Sequence, residues 1–527
     1  MLRREALPLL ALGAAVAFGT RAAWIDPVAA FPQRDTAFGE LAIHHLQNAL
    51  LGRAAWADAP LGWPLPAGTA RLDWMLGQAV VTLPLRALGA SPAAAHGVVS
   101  ALGLLVAAVA VYGLARRLGT TRSGALLAGL TAGIGPASLA ELHHANLTWG
   151  GLGVVAVLIL VARQGVGIAG GATAGAIVVG AAHFGLYAGL FAGATFLAGL
   201  PAALALAGRR AWLGFAAGAF VAALSLVPVA SLYAGAASAV DPGDNAGESW
   251  DPAQTLTPSP SAPLHRFFGI ADPPPKRGPA HRSVNPGYLL GGMALLGGAL
   301  ALGRRKSAWA LVLAAGVLAA VLATGVRPMI GGRSLGVAGP YAWVDFLTEH
   351  RLRAPERWLF LAQIALGLLA GLALSQGQAW VASRAGAVRA SIGAALATAL
   401  VFLELPVMAP AKAATAAFPP PAYALLEGAP PGPLFEVLGG RDPCRGIDRL
   451  RMQPLHGHPL VGGHQGRFSA AGQALNRTLD AWPHPSTLAW LREAGVSLVL
   501  EHPPLRPLPD DPGLRCTASH GHRLCVL

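Results

Sequence analysis

Five carboxylates stand close together near the start of the chain: Asp26, Asp35, Glu40, Asp58 and Asp73. They lie in a polar stretch rich in Trp and Pro, between the first apolar run and a long series of others. A carboxylate in such a place can accept a proton from a reacting group, or it can cap the first turn of a helix. Asp35 follows Arg34 and opens DTAFGELAIHHLQNALL, which reads as a helix, so both roles are open to it. Asp26 comes directly after the first apolar run and before Pro27, with the same two roles. Glu40 sits five residues after Asp35, only roughly on the same helical face, and is a candidate substrate-binding group. Asp58 and Asp73 read as loop acids.

Two further groups have the right chemistry to bind something. In ELHHANLTW, Glu141, His143 and His144 offer a carboxylate and two imidazoles within four residues. They suit hydrogen bonding to a substrate, and neutral imidazole with carboxylate also suits a divalent metal. The competing role is a polar helix-end turn in contact with headgroup water. In TEHRLRAPERW, three arginines cluster: Arg351, Arg353 and Arg357. Guanidinium forks take phosphate oxygens two at a time. Pro355 suits a first helical turn, and a helix N-terminus favours an anion. Arg353 and Arg357 are therefore phosphate-binding candidates, against the plainer alternative of pairing with Glu356 or with lipid headgroups. A second basic stretch, HRFFGIADPPPKRGPAHR, reads as a loop.

The elements that must position these groups are membrane helices. Hydrophobic residues make up 54% of the 527 and charged residues 12%, about half of what a soluble chain carries. Apolar runs near 20 residues recur, each long enough to cross the hydrocarbon core. Eleven spans are expected, at roughly 5–23, 95–115, 123–140, 146–163, 167–183, 186–208, 211–233, 287–303, 307–325, 357–378 and 390–410. Residues 74–90 are apolar too, but Pro84 and Arg86 make an interfacial or re-entrant helix the better expectation. Gly- and Ala-rich spans such as AGGATAGAIVVGAA are expected to pack closely inside the bundle.

Arginines give the orientation. Arg3, Arg4, Arg116, Arg117, Arg122, Arg163, Arg209, Arg210, Arg304, Arg305, Lys306, Arg384 and Arg389 all fall on one side of the expected spans. That side is cytoplasmic by the positive-inside rule. The net charge of +13 thus reports topology, and no basic stripe interleaved with aromatics marks a nucleic-acid partner. The first span reads as an uncleaved signal anchor, since its apolar core is long and its cleavage motif poor.

Residues 24–94, 234–286 and 326–356 are then extracytoplasmic loops of a transmembrane domain over 1–410. Residues 411–527 are expected to form a small extracytoplasmic α/β or α+β domain after a Pro-rich linker. LFEVL and SLVLEH read as its strands, TLAWLREAG as a helix and LRCTASHGHRLCVL as a terminal hairpin. The three cysteines, Cys444, Cys516 and Cys525, all lie there. Cys516 and Cys525 flank the hairpin turn and could pair in an oxidising compartment.

Several stretches carry a family resemblance. QRDTAFGELAIHHLQNALL is placed like the catalytic loop of GT-C glycosyltransferases. PGYLLGGMALLGGALAL resembles the start of a late span in YfhO-like membrane proteins, and RLRAPERWLFLAQIALGLLAGLAL resembles that family's Arg-x-Pro-x-Arg helix start. RMQPLHGHPLVGGHQGRFS and TLAWLREAGVSLVLEH are similar to its closing segments. The likeness runs in order over most of the chain. It implies a mostly α, polytopic GT-C-like bundle, acting in the plasma membrane on the outer side. It implies transfer of a sugar from a polyprenyl-phosphate donor to an envelope glycan, lipid or protein acceptor. Asp35 is then the preferred general base, with Asp26 behind it, and Glu40, Glu141, His143, His144, Arg353 and Arg357 are the substrate-binding candidates. No metal ligand set is assigned, although a divalent metal remains open as a cofactor. Membrane lipids are the other expected partners. Three rivals stand beside this expectation: a lipid-linked glycan flippase, a polymerase or ligase of O-antigen type, and a non-catalytic accessory member of the fold. A flippase would favour inverted repeats and midplane charge, and the sequence displays no convincing repeat and almost no midplane charge.

Overall fold

The computed structural model describes residues 2–30, 34–64, 68–161, 166–234, 249–256, 262–267, 285–303, 308–348, 354–406, 419–437, 445–462 and 470–527. These fall into two compact units. One comprises residues 1–25, 98–226 and 239–409, and the other residues 26–97, 227–238 and 410–527. Eight strands are described: β1 (Leu61–Trp63), β2 (Met329–Ile330), β3 (Arg333–Ser334), β4 (Leu434–Val437), β5 (Leu460–Val461), β6 (Leu498–Glu501), β7 (Arg515–Ser519) and β8 (His522–Val526).

The first unit is built from apolar helices. Among the described residues, six are long and apolar enough to cross a membrane: Pro92–Arg117, Arg122–Ala140, Leu186–Leu206, Arg209–Ala234, Pro355–Ala385 and Ala387–Glu404. Five shorter apolar helices accompany them: Glu5–Gly19, Ala145–Leu160, Ile168–Phe184, Tyr288–Leu302 and Ala308–Ala323. Each coincides with one of the expected spans. The helix Leu359–Ala385 is central and buries an almost unbroken face from Gln363 to Ser375. Around it pack the helices Arg122–Ile134, Tyr288–Leu302, Ala308–Ala323 and Ala387–Glu404.

Small residues permit this, because lipid is as apolar as Leu and close van der Waals packing has to hold the helices together. A side chain at Gly171 would meet the Ala211 carbonyl oxygen at 1.9 Å, and one at Gly175 the Phe215 carbonyl oxygen at 2.1 Å. The AGGATAGAIVVGAA helix therefore presses its backbone against the helix Arg209–Ala234, the close packing its composition implied.

In the second unit, the helix Leu76–Ala87 has twelve residues. It is about 18 Å long and cannot cross a bilayer core of about 30 Å. Its buried face is polar, and Gln47 Nε2 donates to Thr82 Oγ1 at 3.0 Å. Arg86 Nη2 donates to Asn48 Oδ1 at 2.6 Å. These bonds bind it to the helix Arg34–Leu50.

The same unit carries one six-stranded sheet, ordered β1-β5-β4-β6-β8-β7. The first four strands run parallel, and β8 and β7 close the sheet antiparallel. Strand alternation sends Phe435, Val437 and Val499 to one face, against Leu475, Leu479, Trp482, Leu488 and Leu491. LFEVL, SLVLEH, the helix Pro485–Glu493 and the terminal hairpin all stand as expected. Cys516 and Cys525 are disulfide-bonded across that hairpin. The edge strand β1 was not foreseen: it comes from the first long loop. That loop and the tail build one body rather than two.

The other face of the sheet buries charge. Glu436 and Arg449 are both buried, and His502 Nε2 approaches Glu436 Oε1 at 3.6 Å. His456 lies nearby, stacked on Tyr423 with ring centroids 5.8 Å apart. Burial pushes the His456 imidazole down to about 4, with the His458 ring adding to the shift and Glu436 opposing it. Its Nδ1 accepts from the His458 backbone N–H at 3.0 Å, a bond that protonation of that nitrogen would break. The unfolded chain, with an ordinary histidine, binds this proton first as pH falls below about 6.5. Stability is therefore fully present above that value and is lost as pH falls toward about 4. By pH 5 the loss should be about 2 kcal/mol. Hydrogen exchange of the β4 and β6 amides, corrected for intrinsic rate, should speed up between pH 7.5 and pH 5.0. In His456→Asn, which keeps an acceptor but has no basic nitrogen, most of that change should vanish. Equal acid sensitivity in the two proteins would place the effect elsewhere.

Candidate functional site

Within the helical unit, one polar cluster gathers titratable side chains from four separate segments. Its floor is a helix that stops early. The helix Arg122–Ile134 ends at Gly135, and Pro136, which has no N–H to continue the ladder, starts the short helix Pro136–Ala140. Gln363 on the central helix staples this break. Its Oε1 accepts from the Ala137 backbone N–H at 2.7 Å, and its Nε2 donates to the Thr131 carbonyl at 2.8 Å and to Ser138 Oγ at 2.6 Å. The break delivers the turn that carries Glu141, His143 and His144.

Arg357 arrives from the opposite direction, on the single turn Pro355–Trp358 that leads into the central helix. The preceding Ala354 is buried and left-handed, with φ of 59°. That conformation costs a non-glycine residue about 1–2 kcal/mol, and such strain persists where the surroundings over-determine it. Here it turns the chain so that Arg357 meets His144.

The resulting array has a definite proton arrangement. Arg357 Nη2 lies 3.4 Å from His144 Nε2, and His144 Nδ1 lies 2.7 Å from Glu141 Oε2. A guanidinium can only donate, so Nε2 is the acceptor and the imidazole proton sits on Nδ1, donated to Glu141. The ring of His143 stacks on that of His144 at 3.8 Å. Burial would raise the Glu141 carboxyl, but the His144 hydrogen bond and the Arg357 charge outweigh it and hold the group well below the usual carboxylate range. Arg357 also lies over the Tyr187 ring, its Cζ 4.5 Å from the centroid. Such a contact adds about 0.5–2 kcal/mol and fixes the plane of the fork.

Two groups from the helix Tyr341–Leu347 complete the cluster. Tyr341 and Asp345 are one turn apart and both buried. Burial pushes the Tyr341 phenol well above its ordinary value, with Tyr187 and Asp345 adding to the shift and Arg357 and Trp358 opposing it. Tyr341 therefore stays protonated.

The donor atoms of Glu141, His143 and His144 lie within 4.8 Å of one another. Their chemistry suits a divalent cation. Both nitrogens of His144 are already engaged, however, so a cation on Nε2 would have to displace Arg357.

The remaining expected residues are placed as follows. Asp35 is in the first turn of the helix Arg34–Leu50, in the second unit. Asp26 is exposed between the helices Arg21–Ile25 and Pro27–Ala30. Glu40 is buried and gripped by the Arg451 fork at 2.8 Å and 2.9 Å. That contact docks the tail helix Arg445–His456 on the helix Arg34–Leu50 and gives the Glu40 carboxylate a structural load rather than a free face. Arg353 lies outside the described residues. His183 Nε2 lies 2.7 Å from Ser225 Oγ. Tyr187, Tyr341 and Asp345 were not foreseen. The Tyr341–Asp345 spacing in YAWVDFL, two polar groups four apart in an apolar heptad, was the available signal.

No family model matches the chain, and no curated protein matches it. Solved structures do. The chain superposes over 100% of its length on the arabinofuranosyltransferase AftD from Mycobacteria, with a TM-score of 0.60 and 16% identity. It spans only 40% of that protein's length. It superposes over 99% of its length on ArnT from Cupriavidus metallidurans in the apo state, with a TM-score of 0.53 and 14% identity, covering 98% of that chain. Both are GT-C proteins, and the chain has the GT-C fold. The narrower YfhO-like likeness rests on the sequence motifs alone.

Proposed function

We propose that this chain is a membrane glycosyltransferase that takes a sugar from a polyprenyl-phosphate donor and passes it to a glycan, lipid or protein acceptor outside the cytoplasm. The observation that carries this reading is the Glu141–His144–Arg357 array. It holds a planar guanidinium, stacked on Tyr187 and oriented by an imidazole, in a GT-C fold. A fork fixed in advance on two sides loses little freedom on meeting a phosphate, and charge-assisted pairs of this kind are the strong ones. The donor's lipid tail keeps that phosphate at the membrane surface. Displacement at the anomeric carbon by an acceptor hydroxyl then needs one proton acceptor. Asp35 is assigned that role, with Asp26 second. Glu141 is bound to His144 and held well below the usual carboxylate range, which suits orientation more than proton removal.

The test is direct. The full chain in lipid nanodiscs is incubated with radiolabelled polyprenyl-phosphate pentoses and hexoses and an envelope extract. Label should move from the butanol-soluble donor into the extract. Donor that crosses proteoliposomes without transfer would favour the flippase reading. Donor that binds, with neither transfer nor movement, would favour a non-catalytic accessory protein.

A further inference from the structure

The segment between the helices Ala308–Ala323 and Pro355–Ala385 turns an apolar face outward. We propose that residues 329–347 form a docking platform that rests in the interface of the lipid bilayer. Ile330, Leu335, Val337, Trp343, Phe346 and Leu347 are each between half and three-quarters exposed. An ordinary surface helix hides its apolar residues and shows its polar ones. The helix Tyr341–Leu347 does the reverse: Tyr341 and Asp345 are buried, while Trp343, Phe346 and Leu347 stand outside.

The exposure belongs to a built element. Gly331 and Gly332 take φ of 62° and 78°, which makes the β2–β3 connection a tight turn of the primed kind. The buried Asp251 carboxylate accepts from the Gly331 N–H at 3.0 Å and the Gly332 N–H at 2.6 Å and pins that turn. The Leu335 N–H donates to the Pro328 carbonyl at 2.9 Å, and the Gly339 N–H to the Val326 carbonyl at 2.8 Å. The six apolar side chains are thus offered on a braced support.

Three observations choose the bilayer as the occupant. The platform is tied to the ends of two apolar helices. The Trp250 N–H donates to the last carbonyl of one helix, at Ala323, at 2.9 Å, and a side chain at Gly325 would meet Pro355 at 3.1 Å. Met329 is six residue steps beyond Ala323, so even an extended chain holds β2 within about 20 Å of the helix end. The face also joins an exposed Trp to the exposed Arg327 and Arg333, the composition of interfacial elements that meet both acyl chains and anionic headgroups. The inference requires the helices to span a membrane and does not require the chain to transfer sugar.

The experiment places an environment-sensitive fluorophore on Phe346→Cys, in a Cys444→Ser background, with the full chain in nanodiscs of phosphatidylcholine and phosphatidylglycerol. A second chain carries the label at Trp343→Cys. Lipids bearing a doxyl group near the headgroup should quench both labels by about twofold, with blue-shifted emission, and aqueous iodide should have little effect. Quenching by iodide and not by doxyl lipid would put the face in water and overturn the proposal. Protection from both quenchers would mean that protein covers the face, a second copy or another chain, and would overturn it equally. Neither readout depends on turnover, so a failure here is distinct from a failure of the glycosyltransferase reading.

Discussion

Asp35→Asn should lower sugar transfer by about 10²–10⁴-fold, the usual worth of a positioned general base. The amide cannot accept the acceptor's proton. Asparagine caps a helix start about as well as aspartate does, so this substitution preserves the competing role of Asp35 in the first turn of the helix Arg34–Leu50. A purely capping Asp35 would leave Asp35→Asn fully active and Asp35→Ala less stable by about 1 kcal/mol. The helix is suitable for carrying a base because it is well braced. Arg451 holds Glu40, Thr82 takes a hydrogen bond from Gln47, and Arg86 donates to Asn48. Catalytic groups on such rigid elements keep their geometry better than those on loops. Asp26 stands exposed beyond the end of the helix Arg21–Ile25 and outside the helix Arg34–Leu50, and Asp26→Asn should lose far less. Rates measured with saturating donor separate the two. Full activity in Asp35→Asn would remove the assignment, and the reverse ranking would transfer it to Asp26.

Much of this architecture is legible in the sequence because the physics is local. An apolar run near 20 residues marks a membrane helix wherever it occurs. What hydropathy marks, however, is the apolar part and not the helix. The central helix was expected to stop near residue 378, but it continues through AWVASRA to Ala385, where Gly386 with φ of 89° ends it. Helical propensity, not hydropathy, governs that last stretch. The tail strands were equally legible, being short apolar runs bounded by Gly and Pro. The pairing of β1 with β5 was not. It joins Leu61 to Leu460, and nothing in either segment encodes a partner so distant.

The site divides in the same way. Glu141, His144 and Arg357 were visible one by one, as a polar turn in ELHHANLTW and an arginine beside Pro355. Their meeting depends on the helix break at Gly135 and Pro136 and on the left-handed Ala354, which are tertiary outcomes. The spacing of Tyr341 and Asp345 in YAWVDFL is a signal only in hindsight, because a seven-residue helix holds too few turns to establish a period.

Arg357→Ala should weaken donor binding by about ten- to over a hundredfold, since a charge-assisted hydrogen bond contributes about 1.5–3 kcal/mol. Arg357→Lys should recover only part of this. Lysine keeps the charge but loses the planar fork that lies over Tyr187 and bonds His144. Arg384 supplies a matched control. It too stacks on an aromatic ring, with its Cζ 4.1 Å from the Trp380 centroid, and it lies in the last turn of the central helix that the Arg357 turn leads into. It lies about 40 Å from Arg357 along that helix, so Arg384→Ala should bind donor normally. Glu141→Gln tests the support behind the fork. It leaves Arg357 in place but removes the charge that holds the Nδ1 proton of His144, so its loss should be smaller than that of Arg357→Ala and in the same direction. Donor affinity is read by displacement of a fluorescent polyprenyl phosphate, without turnover, so the measurement is independent of the base. Unchanged affinity in Arg357→Ala would move the phosphate site away from this cluster, and the basic stretch from His265 to Arg282 would be the next to test. Loss of affinity in Arg384→Ala as large as in Arg357→Ala would mean that overall positive charge, and not this fork, attracts the donor.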